Sequence, residues 1–262
     1  MYTTRAVSTS AAASKDGQAV STSWSGSLAA DSTADTASSA ATTTGNAASA
    51  AQGYSLGIFQ GKATVASSAG AEDGSAGSLG IGVSTGMVQA QSRVASSAET
   101  KDGRAQSLAG SLAAAGINSI SSATSSGASE TGDVTSNAQS FGLGAFHGEA
   151  AATSSSSTGC VDCVSDSVAN AVATGVVADA LARSAADSDK NPGNSLANAI
   201  SVGMISRTSN GGSSRIAVGP AQAISGGFAV SANKKIQNRV AAAVNPAAKK
   251  DAVEAAKAQQ KA

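Results

Sequence analysis

The chain has 262 residues, of which 60 are Ala, 46 Ser and 29 Gly, while Leu, Ile, Val and Phe together number only 40. Lys and Arg (17) balance Asp and Glu (17), so the low apolar content is not matched by charge repulsion and the usual signature of disorder is incomplete. Zero net charge argues against nucleic acid as the main partner, and no apolar run approaches the roughly 20 residues that a membrane-spanning helix needs. Met1 to Arg5 is not followed by an apolar stretch, so no signal peptide is visible in this chain.

From residue 6 onward the sequence repeats. Ala51-Gln52-Gly53-Tyr54-Ser55-Leu56-Gly57-Ile58-Phe59-Gln60-Gly61 is echoed by Ala138 to Gly148, which places Phe59 against Phe146. Central glycines at 26, 57, 86, 116, 144, 175, 203 and 227 mark about eight units of about 29 residues. Between them run turn signals: Asp16-Gly17, Gly45-Asn46, Asp73-Gly74, Asp102-Gly103, Gly132-Asp133, Gly159, Pro192-Gly193 and Gly211-Gly212. Each unit therefore reads as two extended arms separated by turns.

Within an arm the period is two. Ala76, Ser78, Gly80, Gly82 and Ser84 are tiny, and Leu79, Ile81 and Val83 alternate with them; Ala197, Ala199 and Ser201, then Ala221 and Ala223, repeat the pattern. Alternation of this kind places one kind of residue on each face of a strand. The spacing predicts an all-β fold, either a β-solenoid or stacked sheets, with an antiparallel meander as the other arrangement of the same arms. A helix competes over 164–187, where Val164, Val168, Val172 and Val176 fall four apart. After about residue 233 the pattern stops. Pro246 followed by Lys, Glu and Ala to Ala262 predicts a helical cap or tail over 234–262, separate from a repeat domain over 1–233.

On this reading the Leu/Ile/Val face forms a thin core. The Ala/Ser/Gly face (Ala76, Ser78, Gly80, Gly82, Ser84, Ala197, Ala199, Ser201, Ala221, Ala223) is then a flat candidate assembly face, because small side chains let two sheets approach closely; the sequence leaves open whether those sheets belong to one chain or to two.

Catalytic signals fail in context. Gly53-Tyr54-Ser55-Leu56-Gly57 and Gly82-Val83-Ser84-Thr85-Gly86 match the nucleophile-elbow spacing, but both fall at one register of the repeat and the chain has a single histidine, His147. Cys160-Val161-Asp162-Cys163 lacks further thiolates or histidines for zinc and a βαβ context for redox chemistry, which favours a turn disulfide or free or intermolecular cysteines over a metal or redox pair. No cofactor or metal is expected, and the chain is read as a non-enzyme.

The alternation in Ala76-Gly77-Ser78-Leu79-Gly80-Ile81-Gly82-Val83-Ser84 resembles arthropod silk fibroins, and the composition is similar to that of eggshell and cement proteins rich in Ala, Ser and Gly. The repeats vary more than in crystalline silks, and long Ala or Gly-Ala blocks are missing. The resemblance implies a secreted, non-catalytic protein whose partner is itself. Two other functions fit the same repeat: an ice-binding β-solenoid, whose partner is an ice surface, and a bacterial or phage β-solenoid adhesin or fibre.

Overall fold

The computed structural model describes residues 2–160, 163–188, 193–216 and 221–231. The predicted helical tail over 234–262 lies outside them. What is described is all-β: β1 (Thr3–Asp73), β2 (Ala76–Gly86), β3 (Gln89–Asp102), β4 (Ala105–Ala115), β5 (Asn118–Ser129), β6 (Val134–Gly144), β7 (His147–Thr158), β8 (Ser165–Thr174), β9 (Val177–Ser188), β10 (Gly193–Gly203), β11 (Ile205–Ile216) and β12 (Ala221–Ser231). The 164–187 segment is two strands, with Val168 and Val172 on one face of β8, so the four-residue valine spacing does not mark a helix.

Hydrogen-bonded order runs β11-β9-β7-β5-β3-β1-β2-β4-β6-β8-β10-β12, and every pairing is parallel. Strand β1 is long because it winds through both sides of the structure: its residues 47–56 pair with β2 and its residues 60–73 with β3. The order therefore describes two parallel stacks, an even sheet (47–57 of β1, then β2, β4, β6, β8, β10, β12) and an odd sheet (60–73 of β1, then β3, β5, β7, β9, β11). The chain crosses from one to the other at each turn. This is a β-solenoid. Parallel pairing decides against the meander, and the register explains why the repeat length is so constant: Ala47, Ala76 and Ala105 stack at intervals of one coil.

One series of turns depends on glycine. Gly17, Gly45, Gly74 and Gly103 have φ of 105° to 128°, a region costly for residues with a Cβ. A Cβ on Gly74 or Gly103 would also run into the carbonyl oxygen of the glycine one coil earlier. Both constraints apply in successive coils, which is why the Asp-Gly and Gly-Asn signals recur in phase.

The interior reverses the sequence expectation. Ala76, Ser78, Gly80, Gly82 and Ser84 all point between the sheets, as do Ala197, Ala199 and Ser201, each at most 5% exposed where a value applies. Ala223 is exposed in β12, and Ala221 pairs there with Gly193 of β10. The small-residue face is thus the core within one chain and not an exposed assembly face. The Leu/Ile/Val face, expected inside, is outside. The physical reason is packing distance: with Ala, Ser and Gly inward the sheets close until hydroxyls touch the opposite strand, and dispersion contact between backbones replaces large side chains.

Serine makes this contact specific. Ser21, Ser49, Ser78, Ser107, Ser136, Ser167 and Ser195 occupy one inward position of the even side; Ser38, Ser67, Ser96, Ser125, Ser154 and Ser184 face them from the odd side. Ser125 Oγ donates to Ser107 Oγ (2.8 Å), Ser136 Oγ to Ser125 Oγ (3.0 Å) and Ser154 Oγ to Ser136 Oγ (2.9 Å), a zigzag up the solenoid axis. Ser38, Ser67 and Ser125 also donate to carbonyl oxygens of the facing sheet. Direct hydroxyl bridges between the sheets leave no room for large side chains between them. Every buried polar side chain among the described residues is Ser or Thr, so the interior carries no titratable group.

Candidate functional site: the two outer faces

With small residues turned in, the outer surfaces hold the chemistry that can meet a partner. On the even sheet the outward positions align into rows along the axis. Tyr54, Val83, Leu112, Phe141, Val172, Ile200 and Phe228 form one continuous apolar row, each residue in register with the next. Trp24 extends the surface toward the N-terminal end, its ring 6.5 Å from that of Tyr54. Beside this row runs a second, interrupted one: Leu56, Thr85, Ala114, Leu143, Thr174 and Val202 in register. Phe141, Leu143, Ile200 and Val202 are 38% to 42% exposed, and Phe228 61%. Leu79, Leu108, Val168, Leu196 and Ile224 add a third, interrupted row.

The apolar surface continues over the turns that leave the even sheet. Ile58 and Phe59, Met87 and Val88, Ile117, Phe146, Val176 and Met204 occupy successive turns and are exposed. Phe59 and Phe146, matched in sequence, sit at equivalent turn positions.

The odd sheet and the glycine turns are polar. Lys62, Arg93, Glu99, Glu149, Asp179 and Arg183 point outward from the odd sheet, around a flat strip of Ala, Ser and Thr. Ser68, Ser97, Ser126 and Ser155 stack there in register, beside Ala66, Ala95, Thr124 and Thr153. At the glycine turns, Thr44 Oγ1 donates to Asp16 Oδ1 and Thr131 Oγ1 to Asp102 Oδ1. The Thr131 hydroxyl holds the exposed Asp102 carboxyl below its ordinary pKa, against a smaller opposing effect of desolvation and with help from Asp73 and Lys101. The ion pairs Arg5–Asp35 (2.9 Å) and Arg104–Asp133 (3.6 Å) are exposed, a setting in which such pairs stabilise little.

Each other sequence candidate has a definite place. Ser55 and Ser84, the elbow-type serines, are fully buried, and Ser55 Oγ donates to the Ser32 carbonyl (2.8 Å). His147 opens β7, half-buried, in register between Asn118 and Val177. Cys160 and Cys163 are joined in a disulfide at the turn between β7 and β8, with Cα atoms 5.5 Å apart. That coil is two residues longer than the one before it and three longer than the one after: Val134 pairs with Ser165, an offset of 31, where Ala105 pairs with Val134 at 29 and Ser165 with Gly193 at 28. The disulfide ties down the insertion. Among the described residues no helix is long and apolar enough to cross a membrane.

What the sequence did not disclose was which face is which. Two signals bear on it: serine recurring in phase on both arms of every coil from Ser38 to Ser195, and charge concentrated on one arm and one turn series, with Asp166 the exception on the even sheet. Compared with known proteins, the chain matches no family model, no curated protein and no solved structure.

Proposed function

We propose that this chain is a non-catalytic structural protein, of the silk, cement or extracellular-matrix kind, that associates with copies of itself. The observation that carries this reading is the outward position of its large apolar side chains. A protein of this size ordinarily buries such residues, and a monomer rarely presents an apolar patch above a few hundred Å² to water. Here the core is complete without them. Two continuous flat faces and a rigid, hydrogen-bonded interior suit a building block. The Cys160–Cys163 disulfide favours an oxidising location such as the extracellular space. Sedimentation velocity over a concentration series, with circular dichroism on the same samples, tests the reading. A β-rich spectrum with sedimentation coefficients rising with concentration is expected; a strict monomer throughout contradicts it.

A second reading is favoured by the odd face: the in-register Ser68, Ser97, Ser126 and Ser155 form a flat array repeating about every 4.8 Å, the kind of surface that could order water as ice does. Thermal hysteresis in a freezing assay supports that reading, and its absence removes it.

A further inference from the structure

We propose that the outer face of the even sheet is the surface on which a second copy of this chain docks, the same face meeting its own counterpart. The inference rests on the self-assembly reading and adds to it a surface, a symmetry and a stoichiometry.

Three observations select the occupant. The first is charge. Across the outward positions of the even sheet from Val20 to Val202, Asp166 is the one charged residue, and it is held in the polar outermost row, where Asn194 Nδ2 donates to its Oδ1 (2.9 Å). The odd face carries charges of both signs. A neutral face can meet its own copy with no like-charge repulsion, whereas it offers nothing to steer an anionic lipid surface or a charged partner. The second is area. Strand β2 has 11 residues, so the face is about 36 Å across at 3.3 Å per residue; seven strands at about 4.8 Å make it about 34 Å tall. That is on the order of 1,200 Å², above the roughly 800 Å² per partner of a standard stable interface. The third is rigidity. The backbone under the face is paired in register on both sides of each interior strand, so few groups need to be ordered on contact apart from the side chains themselves.

Because the same patch serves both copies, the contact is isologous and closes at two. The product through this face is a dimer with both charged odd faces turned to water; any larger assembly is built from that dimer through a different surface. The Tyr54–Phe228 and Leu56–Val202 rows lie together on one side of the face and the Leu79–Ile224 row on the other; between them runs the middle row, in which Asn198 Nδ2 donates to Asn170 Oδ1 (3.1 Å), so the polar groups at the centre pair along the axis within one copy.

The test compares the wild-type chain with Phe141→Glu/Ile200→Glu on the even face and Thr124→Glu/Thr153→Glu on the odd face, by sedimentation at matched concentrations, with circular dichroism and thermal unfolding as controls for folding. Wild type and the odd-face variant are expected to be dimers and the even-face variant a monomer with the wild-type spectrum. Should the charged pair disturb the fold, Phe141→Thr/Ile200→Thr keeps β-forming residues and is expected to weaken the dimer by at least about tenfold. If the wild type assembles and the even-face variants assemble equally well, this inference is overturned while the self-assembly reading stands. If the wild type is monomeric at every concentration, both fall. Co-sedimentation of that monomer with phosphatidylcholine vesicles would then identify the face as lipid-binding.

Discussion

Val94 of β3 fills the space left by Gly82 of β2 across the interior: a Cβ on Gly82 would lie 2.7 Å from Val94 Cγ2, and one on Gly80 2.7 Å from Cγ1. Val65 stands in the same relation to Gly53, at 2.8 Å, and Val134 to Gly127, at 2.6 Å. These valines are the large exceptions in an interior otherwise built of Ala, Ser, Thr and Gly, and each is opposed by glycine. The sheets keep one separation because bulk on one side is matched by absence on the other.

Gly82→Ala is therefore expected to destabilise the fold by roughly 1–3 kcal/mol, the usual cost of overpacking, and Val94→Ala to cost on the order of 2 kcal/mol through the cavity it opens. Combined, the two changes should cost less than their sum, since each removes the other's conflict. Denaturant unfolding of the two single variants and the double variant measures that coupling. Additive costs would mean that Val94 and Gly82 do not share a space.

Glycines of the solenoid should divide sharply by position. Gly103→Ala places a Cβ at φ 128° and against the Gly74 carbonyl, and is expected to cost at least about 3 kcal/mol. Gly70 lies on the outer odd face with open space around it, and Gly70→Ala is expected to be neutral or to stabilise by up to about 1 kcal/mol. Thermal unfolding of the two variants side by side checks this ordering.

Within the serine zigzag, Ser136→Ala removes the hydroxyl that donates to Ser125 and accepts from Ser154, and leaves buried oxygens short of a partner. A loss of about 1–3 kcal/mol is expected. Ser155→Ala, on the outer face, should change stability by no more than about 0.5 kcal/mol. Equal effects at Ser136 and Ser155 would contradict the inward orientation of the first.

The disulfide encloses a very short loop, and short loops yield little when cross-linked. The double substitution Cys160→Ser/Cys163→Ser is expected to lower stability by at most about 2 kcal/mol and to leave the β-type circular dichroism unchanged. Loss of strand signal would instead make the clasp a requirement for folding.

Strand, repeat length and the earlier turns were legible because each is a local matter: glycines at 17, 45, 74 and 103 answer a backbone angle, and the alternation at Ala76 to Ser84 answers the pleat, whereas the turn expected at Gly211-Gly212 lies inside β11. The facing of that alternation was not local. Hydrophobicity alone places Leu79, Ile81 and Val83 inside, and it is overruled because two sheets lined with Ala, Ser and Gly gain more by closing on each other than three larger side chains per coil could supply. The direction of strand pairing likewise depends on which arms meet. Neighbouring arms face each other across the core, and each arm instead pairs with its counterpart one coil away. A turn disulfide between Cys160 and Cys163 was one of the alternatives the sequence offered beside the Gly159 turn signal, and it is the one formed; the two-residue insertion that accompanies it shows only in the register.

The inversion of faces is tested most directly by two neighbouring thiols. In a Cys160→Ser/Cys163→Ser background, Ser107→Cys is nearly isosteric and points inward, and Leu108→Cys points outward from the centre of the even sheet. Native-state labelling with a thiol reagent should leave the position-107 variant protected at every protein concentration. The position-108 variant should react rapidly when dilute and become protected as the chain associates. Rapid labelling at 107 with protection at 108 in the dilute monomer would place the large apolar residues in the core and contradict the account.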